Sequence, residues 1–220
     1  MPHIALTPAQ IALLAAPPLL LITTRLMYKG MASRLGPSRG YLVGFLFYWT
    51  CWCLLLPLLT VGPEGLQAMF QAPDPLFGRP GWLGAALLAA PLLVTYLTMF
   101  PAEVRGASLR VIVVSILFAL VNGTLEEVLW RGAYLTAFPD SWLLGVVYPS
   151  VGFGFWHLAP QAVFPYEGPG GPLAFALMPV ALGLVWGWVA KSSGSIRWTV
   201  AAHILLDIAG VAGRALLGGL

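Results

Sequence analysis

An all-α fold, a polytopic bundle of about seven transmembrane helices, is predicted by three features of this sequence. Hydrophobic residues make up 59% of its 220 residues and charged ones only 9%, against about 25% charged in a soluble domain. Mean hydropathy is +0.86, and a chain this apolar cannot cover a water-facing surface with polar groups. Apolar stretches long enough to span, ~20 residues each, recur along the chain, whereas the ~10-residue alternating segments of a membrane β-barrel do not. At about 25–30 residues per span and loop, residues 1–220 read as one integral membrane domain.

The first stretch, Ala9–Tyr28, holds Pro17-Pro18, a pair expected to kink it. The second runs over Tyr41–Val61 and the third over Trp82–Phe100. The fourth, Ser108–Phe138, is too long for one perpendicular crossing and must tilt or break, with Asn122-Gly123 as the expected loosening point. Trp142–Leu158, Pro172–Ala190 and Ile196–Leu217 complete the seven. Gly62–Gly81 and Ala159–Pro172 are rich in proline and glycine and read as surface connections. Trp52, Trp82, Trp142, Trp186 and Trp198 include several near span ends, where interfacial belts form.

Net charge is only +3, with no basic run of the nucleic-acid kind. Arg25, Lys29, Arg34 and Arg39 cluster between the first two stretches, where basic residues set membrane orientation. Together with Arg105 and Arg110 they predict cytoplasmic loops after spans one and three, although Lys191 and Arg197 fall on the opposite side. No basic n-region precedes the first stretch, so an uncleaved first span is expected. Cys51 and Cys53, one residue apart on a helix, point to different faces and read as packing residues. Asn122-Gly123-Thr124 matches a glycosylation sequon but lies within a span, so it is not expected to be used. Gly36-Pro37-Ser38-Arg39-Gly40 has the spacing of a nucleophile elbow without its strand-turn-helix context, and is read as chance. His3 is expected to be a free terminal residue.

The chain has only eight acidic residues and three histidines. Even so, Glu126, Glu127, Arg131, His157, His203 and Asp207 all fall in predicted spans. Each such group in hydrocarbon costs roughly 2.5–3.5 kcal/mol on insertion scales. They must therefore face one another or a polar cavity. Glu127 and Arg131 are four apart and can pair on one helix face, while Glu126 points about 100° away. His203 and Asp207 repeat that spacing, as do Phe153 and His157. Three helices thus offer one polar face each, and the natural packing turns all three inward. Such a cavity suits hydrolysis, which needs a water, a base and donors for an oxyanion. A carboxylate taken out of water holds a proton more tightly, which brings it into the range of a base near neutral pH. A histidine within reach can share or relay that proton.

Glu126-Glu127-Val128-Leu129-Trp130-Arg131 resembles the EExxxR signature of the CAAX protease and bacteriocin-processing (CPBP, or Abi) family. Phe153–His157 resembles its FxxxH motif, and His203–Asp207 its third motif, a histidine followed four positions later by asparagine or aspartate. The three occur in order over residues 108–215, while the first three spans carry no family mark. The resemblance implies an intramembrane endopeptidase of the glutamic type, similar to type II CAAX prenyl endopeptidases. By it, Glu126 with His157 activates water, His203 with Asp207 lines the oxyanion side, and Glu127, Arg131 and Phe153 give structural support. It implies no cofactor, although zinc is compatible with the residue types. Its partners would be the bilayer of the cell membrane and a membrane-associated protein or peptide, with prenylated CAAX proteins as one substrate class. Asparagine at position 207 could donate to an oxyanion and an ionised aspartate cannot, so Asp207 is expected either to be neutral or to orient His203.

Rival readings are a zinc protease using His157, His203 and a glutamate, a proton-coupled transporter, and a non-cleaving membrane chaperone or immunity factor. The HExxH pair of common zinc proteases is absent, so the sequence does not require metal. Paired halves with broken helices, frequent in transporters, are absent too.

Overall fold

The computed structural model describes residues 5–217, and His3 lies outside them. The described residues form a helical bundle. We number its main helices α1 (Pro8–Leu35), α2 (Pro37–Ala68), α3 (Gly81–Thr98), α4 (Leu109–Ala137), α5 (Tyr148–Trp156), α6 (Gly171–Ser193) and α7 (Arg197–Ala209).

Five of these, α1 to α4 and α6, are long and apolar enough to cross a membrane by length and composition. The helical membrane bundle expected from the sequence is thus present, and two of the seven predicted stretches fold as shorter helices. The fifth predicted stretch forms a π-helical turn, Leu143–Val147, followed by α5, and the seventh forms the 13-residue α7. At about 1.5 Å per residue, α7 rises roughly 20 Å, short of a ~30 Å hydrocarbon core. One face of it packs on the bundle, with Thr199, Ala202, His203 and Ala209 buried, while Leu205 is exposed.

Thr7 caps α1, its side chain accepting from the Gln10 amide in a capping box. The helix continues through Pro17-Pro18 and ends where Gly36 takes φ 83°, a left-handed backbone that favours glycine. Pro37 then starts α2, whose missing N–H costs nothing at a first turn. The nucleophile-elbow spacing is therefore a corner between two helices, which pack closely along their length. Helix α2 carries a π-helical stretch, Tyr48–Leu55, and breaks at Gly62 (φ 71°, ψ 176°) before resuming to Ala68. The predicted surface connection thus begins only after Ala68. Cys53 is fully buried in the core and both cysteines are free.

The irregularity expected at Asn122-Gly123 in α4 falls instead at Val128–Ala133, a π-helical turn. Gly123 has another role. A Cβ there would stand 2.8 Å from the backbone nitrogen of Ile204, so glycine lets α7 lie directly on α4. This places the third motif beside the first. Of the tryptophans, Trp82 and Trp142 are exposed, as an interfacial belt requires. Trp186 is fully buried, because it packs 5.2 Å from the ring of His203.

Candidate active site

The π-helical turn after Glu127 leaves both glutamates inside the bundle, at 1% and 0% exposure. Arg131, on the next turn, pairs with Glu127 at 2.9 Å. The same oxygen, Glu127 Oε1, lies 2.8 Å from His203 Nδ1. Glu127 thus does more than neutralise Arg131: it fixes the imidazole of α7. The Arg131 guanidinium lies over the Phe153 ring at 4.4 Å, a cation–π contact. Phe153 also meets His157 and His203 edge-on, at 4.7 and 5.9 Å. It is a platform shared by all three motifs.

Glu126 faces elsewhere. Its Oε2 lies 3.3 Å from His203 Nε2, a long ion-pair contact, and its Oε1 has no hydrogen-bond partner among the described residues. It lines a cavity of about 380 Å³ together with His157, His203 and Asp207. The two histidine nitrogens therefore address one carboxylate each. An imidazole with both nitrogens against carboxylates acts as a double donor.

His157 sits where α5 ends. The last turn tightens, with the amides of His157, Leu158 and Ala159 bonding three residues back. That leaves the Phe153 carbonyl without its helical partner, and His157 Nδ1 takes it at 2.7 Å. A carbonyl only accepts, so Nδ1 carries the hydrogen and Nε2 keeps its lone pair. No direct contact joins Glu126 to His157 among the described residues; the cavity lies between the elements that carry them.

Asp207 Oδ1 lies 3.7 Å from His203 Nε2, beyond a hydrogen bond. Its Oδ2 accepts from Asn122 Nδ2 at 2.9 Å, and Asn122 Oδ1 accepts from Trp49 Nε1 at 2.8 Å. Sequence reasoning treated Asn122 only as an unused sequon and a loosening point. The available signal was its place one helical turn before Glu126, on the same face. Trp49, Tyr41 and Phe45 bring α2 to the site, and nothing in their spacing marks them.

Residues 108–209 match the family model described as Rce1-like, type II CAAX prenyl endopeptidase Rce1-like. That segment, a little under half of the chain, is similar to the CAAX protease family. No curated protein and no solved structure gives a match. The CAAX protease segment runs from the start of α4 to the end of α7, so all the buried ionisable residues above lie within it. The matching model is described as a prenyl endopeptidase, and the apolar helices support an integral membrane protein.

Proposed function

We propose that this protein is an intramembrane endopeptidase of the glutamic type, in which Glu126 and His157 activate water in the cavity between α4, α5 and α7. One observation carries the reading: a buried carboxylate with one oxygen unpartnered among the described residues lines the same cavity as a histidine whose Nε2 lone pair is free. Glu126 takes a proton from a water as the water oxygen bonds to the peptide carbonyl carbon. The carbonyl π electrons move to the oxygen, where His203 Nε2–H and Asp207 stand as stabilising groups. The oxyanion then collapses, the C–N bond breaks, and the leaving nitrogen receives the proton held by Glu126 or relayed through His157. The substrate is a membrane-associated protein or peptide, prenylated CAAX proteins being the class the family points to, and the cell membrane is the expected location.

The chemistry as written uses no metal. His157 Nδ1 and both nitrogens of His203 are engaged by a carbonyl and two carboxylates, which leaves one free imidazole nitrogen, fewer than a zinc protease draws on.

The test is cleavage of a panel of membrane-tethered peptides, with and without a prenyl group, by the purified chain in lipid. Cleavage that survives chelators and disappears in Glu126→Ala supports the reading. Activity abolished by chelation and restored by zinc would replace it with a metalloprotease. A cellular function that survives Glu126→Ala would point to a non-cleaving chaperone.

A further inference from the structure

We propose that Asn122, itself fixed by Trp49, is a positioning residue that decides which oxygen of Asp207 faces the reaction. The inference rests on the protease reading above, and it accounts for an aspartate serving where the motif also admits an asparagine.

The orientation of Asn122 is forced by its neighbours. An indole N–H can only donate, so the atom 2.8 Å from Trp49 Nε1 is the amide oxygen. The amide nitrogen must then face Asp207, where it lies 2.9 Å from Oδ2. Asn122 and Trp49 are both buried, at 5% and 8% exposure, so water offers little competition for these bonds. Asp207 Oδ2 is thereby committed as an acceptor. The other oxygen, Oδ1, is left toward His203 Nε2 at 3.7 Å, on the cavity that both residues line.

Charge balance gives Oδ1 its role. Arg131 and a doubly donating His203 supply two positive charges against Glu126 and Glu127. A neutral Asp207 leaves the buried cluster uncharged, and an ionised one adds an unbalanced negative charge in a low dielectric. With Oδ2 held as the carbonyl-type acceptor, the hydrogen of a neutral Asp207 sits on Oδ1. It then stands beside His203 Nε2–H, giving two neighbouring donors for an oxyanion. An asparagine at 207 would meet the same constraint. Its carbonyl would accept from Asn122 and its amide nitrogen would take the place of Oδ1–H. Trp49 and Asn122 thus read out as a device on α2 and α4 that makes either side chain on α7 present a donor.

The experiment combines kinetics with infrared spectroscopy on the full chain in lipid. Asp207→Asn should lose less than about tenfold in kcat, and Asp207→Ala about 10²-fold or more, the usual loss for one oxyanion donor. Asn122→Leu should lower kcat by about 10²-fold with little change in KM, as expected when a reacting group is misplaced. In the Asp207→Ala background, Asn122→Leu should cost nothing further. A merely structural Asn122 would lower activity in both backgrounds, and that result overturns the proposal. Trp49→Phe, which keeps the ring and frees the amide to flip, should show a smaller loss of the same kind if Asn122→Leu does not fold. Independently of any substrate, a carboxylic acid C=O band lost in Asp207→Asn should move to higher frequency in Asn122→Leu, because the bond to Oδ2 is gone. A band that does not move, or no acid band assignable to Asp207, also overturns it. If wild type and Glu126→Ala alike cleave nothing, the protease reading has failed, and the infrared result still decides the role of Asn122.

Discussion

Glu126 and Glu127 are neighbours on one helix and face two different interiors. Glu127 lies on the dry side, away from the cavity, where one oxygen holds both Arg131 and His203, the guanidinium is stacked on Phe153, and the second oxygen has no hydrogen-bond partner among the described residues. Glu126 lies on the cavity side, equally buried, with His203 Nε2 at 3.3 Å from one oxygen and no hydrogen-bond partner for the other among the described residues. Burial alone therefore does not distinguish structure from chemistry. What distinguishes them is the counter-charge and the cavity: Glu127 is held by Arg131, and Glu126 lines the open space. A carboxylate locked in an ion pair is a fixed part of the packing, and one beside a cavity is available to a water and a substrate.

The largest effect expected from this contrast is on Glu126. Glu126→Gln keeps shape and removes the base, so kcat should fall by about 10²–10⁴-fold. Folding should be little changed, because His203 can release one proton when Glu126 loses its charge and so keep the buried cluster uncharged. Peptide cleavage and thermal unfolding of the same preparation check both halves. A large loss of stability would place Glu126 with Glu127 and remove the contrast.

For Glu127 the order should invert. Glu127→Gln strands Arg131 without its counter-charge, and breaking one side of a buried pair costs about 3–5 kcal/mol. Thermal unfolding in lipid should show that loss directly. Replacing the pair together, Glu127→Leu with Arg131→Met, should recover most of the stability, since apolar residues of similar volume often substitute well for a buried ion pair. Activity should stay low, because His203 Nδ1 has lost the acceptor that fixes the ring. Recovery of activity along with stability would show that Glu127 does not position His203.

The sequence made one side of this contrast easier to read than the other. Spacing four apart brought Glu127 to Arg131, and His203 to Asp207, before any coordinates, and the cost of burying charge turned the motif-bearing helices toward one another. It could not reveal that His203 would bridge the two glutamates, because that depends on how closely α7 lies on α4. The approach is set by Gly123, which looked like a weak point of the helix. Asn122 was hidden for a related reason: its partners, Trp49 and Asp207, are 73 and 85 residues away in the chain. Of the five tryptophans that include several near span ends, Trp186 turns out to pack on His203, because helix position alone cannot show which face packs inward. Two of the predicted stretches fold as the short helices α5 and α7, each buried along one face and exposed along another. Hydropathy does not separate a buried helix from a lipid-facing one.

The smallest predicted effect sharpens the contrast at its boundary. Phe153 touches both regions, beneath Arg131 on one side and edge-on to His157 and His203 on the other. Phe153→Leu keeps a large apolar side chain and removes the ring face. The lost cation–π contact is worth about 2 kcal/mol when desolvated, and replacing the ring with another large hydrophobe usually costs under about 1.5 kcal/mol. Stability should therefore fall by about 1–3 kcal/mol, less than for Glu127→Gln. The Phe153 carbonyl that orients His157 belongs to the backbone and survives the change. If the ring serves only the dry side, kcat should fall by less than about tenfold, roughly what 1.4 kcal/mol represents. A loss approaching that of Glu126→Gln, in protein that still unfolds cooperatively near the expected temperature, would mean that the aromatic ring orients the imidazoles itself. The boundary between the two regions would then have to be drawn on the other side of Phe153.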